Sequence, residues 1–137
     1  MRNVVGFTLI EVMIVVAIVA ILASIAYPSY VSHITRTNRV AAQGCLSELA
    51  NFMERYYASN LTYNLGSTTY VQPDCTVRTN TDYDYPAPAV ASTSGFTITA
   101  VPKGAQAKRD AQCGTLQLDQ AGVRTVSGTA STAVCWR

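Results

Sequence analysis

Glu11 is the residue most in need of a chemical explanation. It stands in MRNVVGFTLIEVMIVVAIVAILASIA, residues 1–26, within a stretch that is otherwise largely apolar. A run of about 20 apolar residues can cross a bilayer as a helix. A lone carboxylate inside such a helix costs roughly 2.5–3.5 kcal/mol on insertion scales, and such residues tend to be functional. No nearby side chain supplies a cation. Cutting the Gly6–Phe7 bond would create one, because the new amine of Phe7 begins shortly before Glu11. The chemistry expected here is proteolysis followed by charge pairing, which serves assembly rather than catalysis.

Two simpler readings compete. A secretory signal peptide has an apolar core of roughly 7–15 residues followed by small residues at its cleavage site. Ala23-Ser24-Ile25-Ala26 imitates such a site, but the apolar core is too long. A plain membrane anchor explains the length and leaves Glu11 unexplained. Arg2 ahead of the run would hold the start of the chain in the cytoplasm and send the remainder outward.

The second reactive set is Cys45, Cys75, Cys113 and Cys135. None forms a C-x-x-C pair and His33 is the only histidine, a spacing that argues against zinc. An even count in a head facing an oxidising compartment suggests disulfides. Three connectivities exist; nearest-neighbour pairing, Cys45–Cys75 and Cys113–Cys135, is the expected one.

Enzyme chemistry is not visible, and no cofactor is implied. There is no phosphate-binding loop, dinucleotide fingerprint or nucleophile elbow. His33 reads as an ordinary exposed helix residue. Net charge is only +2, so no strong field recruits nucleic acid to the whole chain. The last third is more basic: Lys103, Lys108, Arg109, Arg124 and Arg137 are opposed there by Asp110 and Asp119. Lys103, Lys108 and Arg109 could contact DNA phosphates; a solvated loop is the simpler reading. Tyr56, Tyr57, Tyr63, Tyr70, Tyr83 and Tyr85 could stack on bases, though packing explains them as well. Trp136 is expected to pack beside the Cys135 bridge. Asn60-Leu61-Thr62 spells a glycosylation sequon and little more.

The elements that must carry these residues can be outlined. After Pro28, Tyr30, Ile34, Ala41, Cys45, Leu49, Phe52 and Tyr56 recur at helical spacing, with a break at Asn38. Arg36, Arg39, Gln43, Ser47 and Glu54 fall largely on the other side of the wheel. One long helix is expected from about residue 7 to about residue 58, kinked near Pro28 by the lost hydrogen bond. Its amphipathic second half needs a partner surface. Residues 96–101, ending at Pro102, are β-branched and aromatic. Residues 113–118 alternate, and 119–122 offer a turn into 123–126. An earlier strand includes residues 83–85. The fold class is therefore α+β: a long N-terminal helix, membrane-spanning in its first half, packed on an antiparallel sheet of about four strands. Residues 59–80, with Gly66 and Pro73, read as loop.

Gly6-Phe7-Thr8-Leu9-Ile10-Glu11 closely resembles the prepilin processing motif of the type IV pilin family. The resemblance implies that a membrane peptidase cuts after Gly6 and that Phe7 is N-methylated. It also implies that Glu11 pairs with the N-terminal amine of a neighbouring subunit, and that Pro28 marks a site where the helix can unwind in filaments. The second half is similar to the C-terminal signature of PilE-type, ComP-like minor pilins. The matching residues are Lys103-Gly104-Ala105-Gln106, Asp110, the run Cys113-Gly114-Thr115-Leu116-Gln117-Leu118-Asp119, Gly122 and Cys135-Trp136.

The resulting domain reading is a leader at 1–6, a membrane and filament-core helix at 7–27, and an amphipathic helix at 28–58. A head follows at 59–137, with the sheet at 81–127 and a bridged region at 113–135. The function implied is a non-enzymatic subunit of a type IV pilus, serving motility, adhesion or DNA uptake. Its partners would be other pilin helices, the prepilin peptidase/methyltransferase and the inner-membrane assembly machinery. The precursor would sit in the inner membrane with a periplasmic head, then pass into the extracellular pilus. A type II secretion pseudopilin shares the Gly6–Glu11 motif. The terminal cysteine pair favours a pilin, because Asp110 and Asp119 alone are poor material for a calcium site of six to eight oxygens. A DNA-binding competence pilin is the other alternative.

Overall fold

The computed structural model describes residues 7–65 and 73–136. The expected leader, Gly6 included, lies outside the described residues, as do Gly66, Tyr70 and Arg137. The chain divides into two compact units, Met1–Ile34 and Thr35–Arg137.

Helix α1 runs Leu9–Asn60 and contains Pro28. The helix therefore continues through the proline as one element. In the first unit the apolar side chains lie bare: Leu9 is 82% exposed and Ile25 71%. The helix has an 18-residue window of mean hydropathy 2.9, enough to cross a membrane by length and composition.

In the second unit α1 buries Thr35, Arg39, Ala42, Cys45, Leu46, Leu49 and Met53. This stripe recurs at three and four residues, as one helix face must. It differs from the expected face. Arg39, assigned to the outer side, is buried; Ala41 and Tyr30, assigned to the core, are exposed. Ile34, Phe52 and Tyr56 are only half-buried. Asn38 does not break the helix, and its amide faces Gln106 Oε1 at 3.4 Å.

A short helix α2, Asp74–Arg78, occupies part of the segment expected to be loop. The sheet follows. Strand β1 is Tyr83–Asp84, β2 Ala89–Ser92, β3 Gly95–Pro102, β4 Leu116–Asp119 and β5 Arg124–Val126, all paired antiparallel. Thr97 of β3 pairs with Ala89 on one side and Asp119 on the other. β1 pairs with Val101 and Pro102, further along the β2 side. The five strands thus fill four positions, with β1 and β2 sharing one edge. The fourfold width was expected, whereas β2 was not. β4 begins at Leu116 rather than Cys113, because Cys113 and Gly114 turn back to donate to the Asp110 carbonyl (3.0 and 2.9 Å). Helices α3, Gly104–Arg109, and α4, Thr132–Cys135, complete the head.

The period of two along β3 sends Phe96, Ile98 and Ala100 inward. They join Leu116 and Leu118 of β4 and Leu46, Leu49 and Met53 of α1 in one core. Full burial of each large side chain is worth about 1.5–3 kcal/mol.

The terminal segment is held by close backbone approach. Gly128 N donates to the Cys113 carbonyl at 3.1 Å. A Cβ at Gly128 would lie 2.1 Å from the Gln112 carbonyl oxygen, so any side chain must force the two segments apart. Gly44 on α1 is the contrast, with nothing within 4 Å of its would-be Cβ. Gly128→Ala should lower head stability by about 1–3 kcal/mol. Gly44→Ala should be neutral or raise it by roughly 0.5–1 kcal/mol. Thermal melts followed by near-ultraviolet circular dichroism on the full chain in detergent check both; an unchanged Gly128→Ala melt would contradict the close approach.

Candidate functional site

The N-terminal motif sits at the start of α1. Thr8 precedes the helix; its Oγ1 lies 3.4 Å from the Glu11 amide, and its carbonyl accepts from Val12 N at 3.3 Å. Glu11 occupies the first turn, where the positive end of the helix dipole favours an anion. Phe7 is 83% exposed. Phe7, Glu11, Val12, Val15 and Val16 line a shallow groove of about 210 Å³. Their spacing of four and five residues places them on one helix face. The groove is apolar apart from the carboxylate.

A second polar constellation, which the sequence reasoning missed, lies inside the head. The Arg39 guanidinium of α1 forms a buried ion pair with the Asp110 carboxylate. Asp110 is 0% exposed. Arg39 Nη1 also lies 3.1 Å from Cys113 Sγ. The Tyr83 hydroxyl donates to Asp110 Oδ2 at 3.3 Å. Gln106 Nε2 shares its two N–H groups among the Thr35 carbonyl (3.0 Å), the Tyr83 hydroxyl (3.1 Å) and Asp110 Oδ2 (3.2 Å). Burial pushes the Asp110 carboxyl up, opposed by Arg39 and the hydrogen bonds from Tyr83 and Gln106. Burial likewise pushes the Tyr83 phenol well above its ordinary range. The signal available in the sequence was the spacing of 35, 39, 42, 46, 49 and 53, which takes Arg39 onto the apolar stripe. Residue type argued against reading it that way.

The disulfides join Cys45 to Cys75 and Cys113 to Cys135. The first fastens α2 to α1. The second brings α4 beside the segment before β4. Trp136 is half-buried against the core. Its Nε1 donates to the Thr125 carbonyl at 3.3 Å, and the Arg124 guanidinium lies 5.2 Å from its ring centre.

The three basic residues singled out for phosphate contact do not behave alike. Lys103 Nζ is held between Asn80 Oδ1 (2.8 Å) and Asp84 Oδ1 (2.7 Å). Lys108 and Arg109 are exposed in the last turn of α3 and make no ion pair among the described residues. Tyr63, Tyr83 and Tyr85 are buried, which removes them as stacking platforms. Tyr57 stacks on Tyr63 with ring centres 4.5 Å apart, and Tyr56 is half-buried. His33 is exposed. Among the described residues no group of three or more His, Cys, Asp or Glu could hold a metal ion.

Residues 28–117 match the family described as "Type IV minor pilin ComP, DNA uptake sequence receptor". The chain belongs to that type IV minor pilin family. Residues 1–27 of the pilin match the prokaryotic N-terminal methylation motif. A type IV pilin from Shewanella oneidensis has a similar solved structure, with 30% identity, 75% of this chain and 98% of that one covered, and a TM-score of 0.51. The non-core minor pilin PilV of Neisseria meningitidis is similar at 26% identity, with 74% and 94% covered and a TM-score of 0.53. No curated protein matches significantly. The relatives share the long helix packed on an antiparallel sheet. The pilin's bare N-terminal helix and methylation motif fit membrane anchoring and incorporation into a pilus.

The buried pair generates a test. Arg39→Met strands the Asp110 carboxylate and should cost about 3–5 kcal/mol. Without Arg39 the folded-state pKa of Asp110 rises further above its unfolded value. The deficit therefore grows as pH rises through that window, and is larger at neutral pH than at about pH 4. Arg39→Met combined with Asp110→Leu should recover most of the loss. Denaturant unfolding of the three forms at both pH values measures this; a pH-independent deficit would show that Asp110 is not the group left exposed to the change.

Proposed function

We propose that the chain is a structural, non-enzymatic pilus subunit, made as a precursor, cut after Gly6 and N-methylated on Phe7. The precursor sits in the inner membrane with its head in the periplasm. Other pilin helices then cover its bare apolar stretch as it joins an extracellular filament that serves motility or adhesion. The prepilin peptidase/methyltransferase and the assembly machinery are the expected partners. The observation that carries this reading is Glu11, a single carboxylate in the first turn of an exposed apolar helix. Its partner is the Phe7 amine of an adjacent subunit, available only after cleavage. Pro28 supplies the place where the helix can give during assembly. The pseudopilin alternative gains no support from the two solved structures named above, which are pilins.

The test is one experiment on sheared filaments. In the wild type, intact mass should show a chain beginning at methylated Phe7. Glu11→Gln keeps the shape and removes the charge, so insertion and cleavage should persist. Incorporation should fall roughly tenfold or more, the scale of one unpaired buried charge. Normal incorporation beside wild-type partners would end the charge-pair reading, and a mature chain starting after Ala26 would end the pilin reading.

A second reading, reception of DNA by the head, is favoured by the family's description. The surface that supports it is Lys108 and Arg109 of α3, exposed and without acidic partners among the described residues. Lys103 supports it less, being held by Asp84 and Asn80. The full chain in zwitterionic detergent would be titrated with a short duplex carrying an uptake sequence and with a scrambled duplex. Combined Lys108→Ala and Arg109→Ala should weaken binding and reduce the salt slope by about two, while Lys103→Ala should change it less. Absence of binding even at low salt would exclude direct reception by this subunit.

A further inference from the structure

The roles proposed for Glu11, Lys108 and Arg109 leave a cleft between α2 and the β1 end of the sheet unassigned. Its volume is about 360 Å³, at the small end of the range of roughly 300–1,000 Å³ for small-molecule pockets. Val77 and Asn80 line it from the α2 side, Asp84, Tyr85 and Pro86 from the β1 side, and Val101 from β3.

The cleft is built before any ligand arrives. The Cys45–Cys75 bridge ties α2 to α1. Thr79 Oγ1 and the Tyr85 hydroxyl share a hydrogen bond of 2.8 Å. Lys103 Nζ spans Asn80 and Asp84. Both links join the α2 side of the cleft to the β1 side. A site fixed in this way loses little conformational freedom on binding.

Its chemistry is specific in kind. Lys103 takes one oxygen of Asn80 and one of Asp84, which leaves Asn80 Nδ2 as a donor and Asp84 Oδ2 as an acceptor. Neither makes a further hydrogen bond among the described residues. Asp84 is 59% exposed at the side chain, so the acceptor is accessible. The Asp84–Lys103 pair cancels its own charge, so the rim exerts no net attraction on phosphate or carboxylate. A donor and an acceptor side by side suit neighbouring hydroxyl groups, each of which can give and take a hydrogen bond. Beside them Pro86 and Val101, the cross-strand partner of Asp84, offer an apolar surface for C–H groups. Val77 remains 73% exposed at the mouth.

We propose that this cleft binds a neutral sugar residue, with hydroxyls on Asn80 and Asp84 and the ring's C–H face on Pro86 and Val101. The sugar could come as a free glycoside or as the end of a longer glycan, and the test separates the two. Affinity for a single residue is on the order of 1–10 mM, the weak end of the binding scale.

The isotope-labelled full chain would be held in lauryldimethylamine oxide micelles, a detergent without a sugar headgroup. Methyl β-glucopyranoside, methyl β-galactopyranoside and methyl N-acetyl-β-glucosaminide would be titrated in turn, followed by lactose and chitobiose. The amide resonances of Val77, Asn80, Asp84 and Val101 should shift saturably with at least one of them. Tighter binding of the disaccharides supports a glycan end, and equal binding supports a free glycoside. Asn80→Ala and Asp84→Asn should each weaken binding about tenfold, the loss of one hydrogen bond, with the rest of the amide spectrum unchanged. The proposal is overturned if no glycoside moves these amides, if both variants bind as the wild type does, or if duplex DNA moves them and no sugar does.

Discussion

The head is organised around a charge that must not be left alone. Asp110 is fully buried, and a buried carboxylate is tolerated only when it is paired and hydrogen-bonded. Arg39 reaches it from α1, Gln106 from α3 and Tyr83 from β1. Cys113 lies against the same guanidinium. Three segments far apart in sequence, around Arg39, around Tyr83 and from Gln106 to Cys113, are therefore held in one relative arrangement. An apolar core alone would tolerate slippage of α1 along the sheet; the ion pair does not, because a shift strands both charges. Its contribution is to register more than to net stability, since the cost of desolvating two ions offsets much of their attraction.

The two disulfides act on top of this register. Cys113–Cys135 brings the terminal segment to the region that Arg39 and Asp110 define, and Gly128 lets that segment lie directly on the Gln112 backbone. Cys45–Cys75 does the same for α2. Each bridge adds about 2–4 kcal/mol by restricting the unfolded chain. Together they let the head keep its form without drawing on the N-terminal part of α1, whose apolar surface remains available to lipid or neighbouring helices.

The surface chemistry divides by how charges are already engaged. Lys103 is neutralised by Asp84 and clamps Asn80 and Asp84, two residues that line the cleft, whereas Lys108 and Arg109 stay free of acidic partners among the described residues. A count of basic residues treats the three alike. Only their neighbours distinguish a phosphate contact from a structural clamp.

Several features were legible in the sequence because they depend on local pattern. The Gly6–Glu11 motif, the apolar run, the β-branched stretch of β3 and the turn at 119–122 each carry their meaning within a few residues. The turn is held by Asp119 Oδ1, which accepts from Ala121 N and Val123 N, with Gly122 at φ +76°. The placement of Arg39 was not legible, because whether a charged side chain can be buried depends on a partner 71 residues away. Nor were α2 and β2. The first rests on a disulfide to α1, and the second shares an edge of β3 with β1. The sequence by itself determined the long helix with its apolar run, the main strands of the sheet and the N-terminal methylation motif. The tertiary structure alone decided which helix face is buried and which lysine is already paired, because long-range electrostatic pairing overrides local preference once water is excluded.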